Sequence, residues 1–235
     1  YLPSVPTRRS SELTQVVLQM KSASWRSFLQ IVAAITMIGA FLGSDEAHST
    51  YADETESSAV RTRSGLQVLY DFGSTEGPIV KDQAGVGAPI HLRIENPKSV
   101  RRSKGSLEIR GQTLIRAERS SARIIESIRR SGEITIEAWI RPAKTNQSGP
   151  ARIVTLSKNG SSRNFTLGQD GAKFDVRFRT TKTSKNGIPS LSSPNKSLTA
   201  KLTHVVYTRN RAGRTWIYLD GKPRADGKVA GDPSH

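Results

Sequence analysis

Two carboxylates on one predicted strand could take part in acid–base chemistry. Glu133 and Glu137 flank Thr135 in the segment EITIEAWI, and side chains of a strand point alternately to its two faces. All three residues are therefore expected on the same face. A carboxylate pair can hydrolyse a glycosidic bond with retention when the two groups lie about 5.5 Å apart. The alternative, which we favour, is that Glu133 and Glu137 are solvent-facing charges of an outer sheet face.

A second group of residues places positive charge on a strand face. In the segment FDVRFR at positions 174–179, the apolar residues alternate with polar ones. If the apolar side chains face the core, Arg177 and Arg179 point to the other face, and Lys182 follows just beyond. A row of arginines and lysines can pair with sulfate or carboxylate groups.

Aromatic rings alternate in the same way in the segment TWIYL at positions 215–219. Trp216 and Tyr218 share one face, and Ile217 and Leu219 share the other. An exposed aromatic ring beside a cation suits stacking on a sugar ring. The candidate ligand-binding residues are therefore Arg177, Arg179, Lys182, Trp216 and Tyr218, and the alternative is ordinary packing of an outer sheet face with a solvated charge run.

Composition restricts the partners and excludes several kinds of chemistry. The 36 Lys and Arg residues against 20 Asp and Glu residues give a formal net charge of +16. Such a charge favours polyanionic partners, or serves solubility alone. The chain has no cysteine and four scattered histidines, so neither disulfides nor thiolate sites are possible, and no cofactor is predicted. No nucleic-acid-binding motif is present, and nucleic acid is not expected as a partner.

The N-terminal region has the parts of a secretory signal peptide over residues 20–52. Lys21 and Arg26 supply a positive start, the run IVAAITMIGAFL at positions 31–42 is apolar, and small and polar residues follow. Extended back to Phe28, the run spans roughly 22 Å as a helix, whereas the hydrocarbon core of a membrane needs about 30 Å. The alternatives are an uncleaved anchor, which would bring the chain to a membrane, and a buried helix.

Two further segments have no predicted fold. Residues 1–19 precede a plausible initiator, Met20, and are expected to be non-native or unstructured. Residues 53–64 have the composition of a solvated linker. From Gly65 onward, short strand-like runs alternate with turn signals, which is typical of an all-β sandwich. One short helix interrupts them: Ser120 or Ser121 can cap it, and Gly132 can end it.

Several of these segments together resemble the laminin-G-like, concanavalin A-like jelly-roll family. The matching runs are LQVLYDFG (66–73), VKD (80–82), GVG (85–87), EITIEAWIRP (133–142), HVVYT (204–208) and WIYLDG (216–221). The resemblance implies an antiparallel two-sheet sandwich over residues 65–235. It also implies a module that binds sugars or proteins. Together with the signal-peptide pattern and the positive charge, it predicts an exported module (secreted, periplasmic or envelope-associated) whose partner is an acidic or sulfated polysaccharide or another extracellular protein. A calcium ion at the rim is possible by this resemblance, with ligands unknown.

The same resemblance bears on catalysis. Catalytic relatives with this fold are glycoside hydrolases that carry E-x-D-x-x-E on one strand. Here Thr135 replaces the aspartate. The last glutamate of the motif is missing, because Ala138 and Trp139 follow. The sequence therefore predicts a non-catalytic binding module, and the alternative is a polysaccharide-active glycoside hydrolase.

The family's last strands are expected to follow the WIYLDG hairpin, and the sequence ends at His235 in a Gly- and Pro-rich turn. The domain at residues 65–235 is therefore predicted to be incomplete at its C-terminal end. Because the final strand of this family pairs beside the first, we expect the strand at residues 66–72 to lack a neighbour.

The signal-peptide prediction can be checked on exported protein. If residues 20–52 are removed on export, N-terminal sequencing of the mature chain will begin near Ala52. A mature chain that retains Phe28 to Leu42 would identify the segment as a membrane anchor.

Overall fold

The computed structural model describes residues 64–233 in full and residues 13–21 as backbone. Most of the predicted signal peptide and linker lies outside these residues, so the predicted domain boundaries stay predictions. In the part of the chain that is described, no helix is long and apolar enough to cross a membrane. The apolar run at 31–42 is outside that part, and its role is likewise untested.

The described chain is built mainly from strands. The first are β1 (Leu13–Lys21), β2 (Leu66–Tyr70), β3 (Ile79–Val80), β4 (Leu92–Ile94), β5 (Val100–Ser103), β6 (Ser106–Ile109) and β7 (Ile115–Ala117). Helix α1 (Ala122–Ser131) comes next. It is followed by β8 (Ile134–Pro142), β9 (Gln147–Ser157), β10 (Arg163–Gly171), β11 (Lys173–Phe178), β12 (Leu191–Ser192), β13 (Thr203–Arg209), β14 (Arg214–Leu219) and β15 (Lys222–Lys228).

These strands form antiparallel sheets. The main sheet has the order β15-β14-β13-β8-β1-β6-β5, with β2 paired to β1, and the second sheet has the order β12-β11-β10-β9. A small third sheet has the order β3-β4-β7. The predicted all-β antiparallel sandwich with one short helix is confirmed.

The core lies between the main and second sheets, because each sheet turns every other side chain inward. The buried side chains of the main sheet include Ile136, Ala138, Ile140, Val205, Tyr207, Ile217 and Leu219. Those of the second sheet include Phe165, Leu167, Phe174, Val176 and Phe178. They form one cluster, and burying each large apolar side chain stabilises the fold by about 1.5–3 kcal/mol.

Helix α1 begins and ends where the sequence predicts. Ser120 Oγ accepts a hydrogen bond from Ala122 N at 3.2 Å. At the other end, Gly132 adopts a left-handed conformation with φ of 69°, and its N–H donates to Ile128 O. Glycine tolerates this conformation because it has no Cβ. Ile124 and Ile128 are buried, so the apolar face of the helix packs on the core.

A buried arginine fastens the end of the helix to both sheets. Arg209 of β13 donates to the carbonyl oxygen of Gly132, to Val229 O at 3.0 Å and to Gly231 O at 2.7 Å. Its guanidinium carbon also lies 5.3 Å from the ring centroid of Phe178 in the second sheet. Burial lowers the pKa of Arg209, and the carbonyls replace the water that the cation has lost.

Strand β2 has a neighbour in the structure, although the sequence analysis expected this strand to lack one. Leu18 to Lys21 of β1 pair with Tyr70 to Leu66, and the other edge of β1 pairs with β8. β1 spans part of residues 1–19, which were expected to be non-native or unstructured, and the first two residues of the predicted signal peptide; its segment LTQVVLQMK is rich in strand-forming and apolar residues. The expected weakness of a fragment that starts at residue 65 stays a prediction.

A carboxylate organises the loop after β3. Asp82, with its side chain 1% exposed, accepts hydrogen bonds from Leu69 N at 3.1 Å, Ala84 N at 3.0 Å and Ile90 N at 3.0 Å. Arg123 of α1 donates to the same carboxylate at 3.1 Å. At the predicted VKD turn, backbone donors and one cation thus hold the Asp82 carboxylate. These contacts tie β2, the loop and the helix together.

Replacing this carboxylate should destabilise the fold strongly. In Asp82→Asn the side chain keeps one acceptor oxygen, so a backbone N–H or Arg123 is left opposite an amide donor. We expect a loss of about 3–5 kcal/mol in the free energy of unfolding, the range for a broken buried ion pair. Urea unfolding of the full chain measures it.

Glu118→Gln is the matched control, because Glu118 pairs with Arg93 on the surface. An exposed pair contributes about 0–1 kcal/mol. Equal losses in both variants would show that Asp82 does not hold the loop in place.

Candidate functional site

The outer face of the main sheet carries a stacked aromatic pair. Trp139 on β8 and His204 on β13 are cross-strand partners, and their ring centroids lie 4.6 Å apart with 18° between the planes. Both side chains are half-buried because their inward neighbours Ala138 and Val205 pack in the core. The two rings therefore form one stacked unit at the edge of solvent.

Polar contacts fix the histidine ring from the side. Nε2 of His204 lies 2.9 Å from Oε1 of Glu137, and the two side chains are 23% and 16% exposed. The backbone N–H of His204 donates to Asp220 Oδ1 at 2.9 Å. Because Glu137 lies one outward position before Trp139, the stack and its carboxylate form one unit.

The aromatic face continues along β14. Trp216 and Tyr218 point outward, while Ile217 and Leu219 are 0% and 5% exposed, as the alternation predicted. The Arg214 guanidinium lies 5.9 Å from the Trp216 ring centroid. Burial raises the pKa of Tyr218. Its protonated phenol can donate or accept a hydrogen bond.

Sheet register sets the extent of this face. Trp139 is level with His204, Tyr218 is level with Val206, and Trp216 is level with Thr208. With strands about 4.8 Å apart and a rise of about 3.4 Å per residue, the aromatic residues run diagonally over roughly 16 Å. We call these residues, Glu137, Trp139, His204, Arg214, Trp216 and Tyr218, the aromatic face.

The structure divides the five predicted ligand-binding residues between two sheets. Trp216 and Tyr218 belong to β14 of the main sheet, whereas Arg177 lies on β11 of the second sheet and Arg179 and Lys182 follow it. Phe174, Val176 and Phe178 are buried, so the arginines do point away from the core. The outer faces of two packed sheets lie on opposite sides of the sandwich, and the five residues do not form one site.

Arg177 belongs to a charged network of its own. Its Nε donates to Asp175 Oδ2 at 3.1 Å. Close by, Nη2 of Arg163 and Nη2 of Arg152 donate to the same carbonyl oxygen, that of Gly160, at 2.7 and 3.1 Å. Burial, followed by the charges of Arg152 and Arg177, lowers the pKa of Arg163. This cluster of three arginines and one aspartate is positive and could attract an anion.

Glu133, just before β8, and Glu137 in β8 are not arranged as a hydrolytic pair. Four positions separate Glu133 from Glu137, which is roughly 13 Å along a strand. Both glycosidase mechanisms need shorter separations, up to about 9.5 Å. Thr135, between them, is 7% exposed and carries no charge.

Metal binding has little support in the described residues. Among residues 64–233, no three His, Asp or Glu side chains lie close enough together to hold a metal ion. Calcium takes six to eight oxygen ligands from carboxylates, backbone and amide carbonyls and water. No role is derived for the calcium ion that the family resemblance makes possible.

Sequence reasoning missed Trp139, His204 and Glu137 as a unit. The alternation along β8 places Glu137 and Trp139 on one face, and this signal was available. The stacking on His204 was not, because it depends on the pairing of β8 with β13, which are about sixty residues apart in the chain. The arginine cluster likewise depends on nonlocal pairing of β9, β10 and β11.

Comparisons with known proteins agree with this architecture. Residues 119–235 match a laminin G-type family model, described as the concanavalin A-like lectin/glucanases superfamily. No curated protein and no solved structure matches the chain. Helix α1 and strands β8 to β15 thus form a laminin-G-like sandwich. The match over residues 119–235 supports a laminin-G-like module of the lectin or glucanase type, and it does not separate binding from catalysis.

Proposed function

We propose that this domain is a non-catalytic carbohydrate-binding module whose ligand lies on the aromatic face. The observation that carries the proposal is the Trp139–His204 stack, held by the contact between His204 and Glu137. The C–H faces of a sugar ring pack on aromatic rings, and its hydroxyls bond to polar neighbours. Because the stack is already ordered, binding loses little side-chain entropy.

Charge favours an acidic or sulfated polysaccharide over a neutral one. The formal net charge of +16 attracts polyanions over long range. Arg214, exposed beside Trp216, can pair with a sulfate or carboxylate group of a sugar that stacks on the ring. Such a ligand fits a module that acts outside the cytoplasm.

Truncating the stack should weaken binding. In Trp139→Ala we expect at least tenfold lower affinity for a sulfated polysaccharide, or about 1.4 kcal/mol, because the aromatic contact is lost. Affinity electrophoresis of the full chain with sulfated and neutral polysaccharides measures it. Binding to the sulfated polymer should also fall as salt rises, since charges are screened over about 8 Å at physiological ionic strength.

Leu114→Ala is the control, because Leu114 is 61% exposed and lies away from the aromatic face. Unchanged binding in Trp139→Ala would remove the proposed site. Strong binding in Arg214→Ala with loss in Arg152→Gln would move the site to the arginine cluster. Absence of binding to every polysaccharide would favour an extracellular protein as the partner.

A second prediction concerns catalysis. The separation of Glu133 from Glu137, together with uncharged Thr135, predicts no hydrolysis of polysaccharides. Reducing-end release from β-glucans by the wild-type chain should match a protein-free blank. Turnover that disappears in Glu133→Gln or Glu137→Gln would establish the glycoside hydrolase alternative.

A further inference from the structure

The tetrapeptide SKNG occurs twice in the chain, at residues 157–160 and at residues 184–187. An asparagine followed by glycine can lose its side-chain amide, because the glycine nitrogen attacks the side-chain carbonyl carbon and closes a succinimide ring. Glycine permits this closure since it has no Cβ to hinder the approach. The two copies have the same sequence, so a large difference between them in the folded chain has to come from the structure.

The first copy lies at the exposed turn between β9 and β10, residues 158–162, which we call the β9–β10 turn. The side-chain oxygen of Asn159 accepts hydrogen bonds from Ser161 N at 2.9 Å and from Ser162 N at 2.8 Å. When the succinimide ring closes, this oxygen takes up negative charge, and donors at such distances stabilise an oxyanion. The turn therefore polarises the carbonyl carbon that the glycine nitrogen attacks.

A cation acts on the nucleophile of the same turn. Nη2 of Arg152 donates to Asn159 O at 3.2 Å, and this oxygen belongs to the peptide group that contains Gly160 N. The nitrogen must lose its proton to attack, and the resulting negative charge is shared with that oxygen. A cation beside the oxygen favours the charged form. Gly160 is exposed, and a Cβ placed on it would meet only Arg152 Nη2, at 4.0 Å, so the backbone has room to move.

The second copy is packed in a loop against β11. Gly187 is buried, its N–H donates to Ser184 O at 2.8 Å, and a Cβ placed on it would lie 2.9 Å from Phe178 N. The side-chain oxygen of Asn186 is buried and accepts no hydrogen bond from any described residue. The nitrogen of this copy is thus engaged, its carbonyl has no donor to stabilise an oxyanion, and its backbone has little room to close the ring.

We propose that the β9–β10 turn promotes the deamidation of Asn159, a modification from which the fold protects Asn186. Gly160 N forms a bond to Cγ of Asn159 while its proton passes to water, and the bond between Cγ and the amide nitrogen breaks to release ammonia. Water then opens the succinimide. Hydrolysis at Cγ gives aspartate, and hydrolysis at the backbone carbonyl gives isoaspartate. The net change replaces one side-chain amide by one carboxylate, with water consumed and ammonia released.

The modification changes the charge of the arginine cluster. Gly160 O, next to the new carboxylate in the chain, accepts from Arg152 at 3.1 Å and from Arg163 at 2.7 Å. In the aspartate form, the hydrogen bonds from Ser161 N and Ser162 N become charge-assisted and stronger. The isoaspartate form instead adds a methylene group to the main chain of the turn. The site shares no residue with the aromatic face and does not depend on the proposed carbohydrate function.

Peptide mapping of the intact chain, kept folded at mildly alkaline pH, measures the deamidation rate at each asparagine. Synthetic peptides of residues 155–163 and 182–190 in the same buffer give the rates without the fold. We expect Asn159 to react at least as fast in the chain as in its peptide. Asn186 should react at least about tenfold slower in the chain than in its peptide, because a packed loop must first open. Liquid chromatography with mass spectrometry separates the aspartyl and isoaspartyl products.

Arg152→Gln tests the contribution of the cation. This variant should deamidate at Asn159 several-fold more slowly than the wild type. Lys158→Gln is the matched control, because it removes the same charge from an exposed neighbour, and it should react like the wild type. Equal rates in all three chains would contradict the activation by Arg152. A slower reaction of Asn159 in the wild-type chain than in its peptide would overturn the proposal, and this comparison decides even where a variant does not fold.

Discussion

The Asp82 carboxylate joins parts of the chain that would otherwise pack independently. It receives backbone N–H groups from β2 and from its own loop, and it receives the Arg123 guanidinium from α1. Arg123 also donates to Gln67 O at 2.6 Å and to Ala88 O at 2.7 Å. The family match begins at residue 119, so this ion pair crosses its boundary. Residues 64–118 are therefore part of the same folded unit as the matched sandwich, although the family model does not include them.

Helix α1 connects the Asp82 loop to the two sheets. Arg123 fastens its first turn to the Asp82 loop, and Arg209 fastens its end at Gly132 to β13 and, through Phe178, to the second sheet. The distance between the two sheets is thereby fixed around a close-packed core. The outward side chains of β8 and β13 are held in place because every second residue of each strand is packed in the core. The Trp139–His204 stack is ordered for that reason.

Local patterns predicted what depends on neighbouring residues. Alternation placed Trp216 and Tyr218 on one face, and Gly132 ended the helix, because strand period and the left-handed conformation of glycine are local properties. The division of Arg177 from Trp216 between two sheets could not be predicted in this way. It depends on which strands pair. β8 pairs directly with β13, although the four strands of the second sheet, β9 to β12, lie between them in the chain. The position of β1 beside β2 lay beyond local patterns for the same reason.

The fold satisfies two desolvated cations with backbone groups of its own. All three nitrogens of Arg209 donate to carbonyl oxygens, and Arg102 donates through Nη1 to the carbonyl oxygens of Glu76, Gly77 and Ile79. Within the described chain neither arginine forms an ion pair with a carboxylate, so charge read from the sequence does not predict what holds them. These contacts depend on loops that come close only in the folded protein.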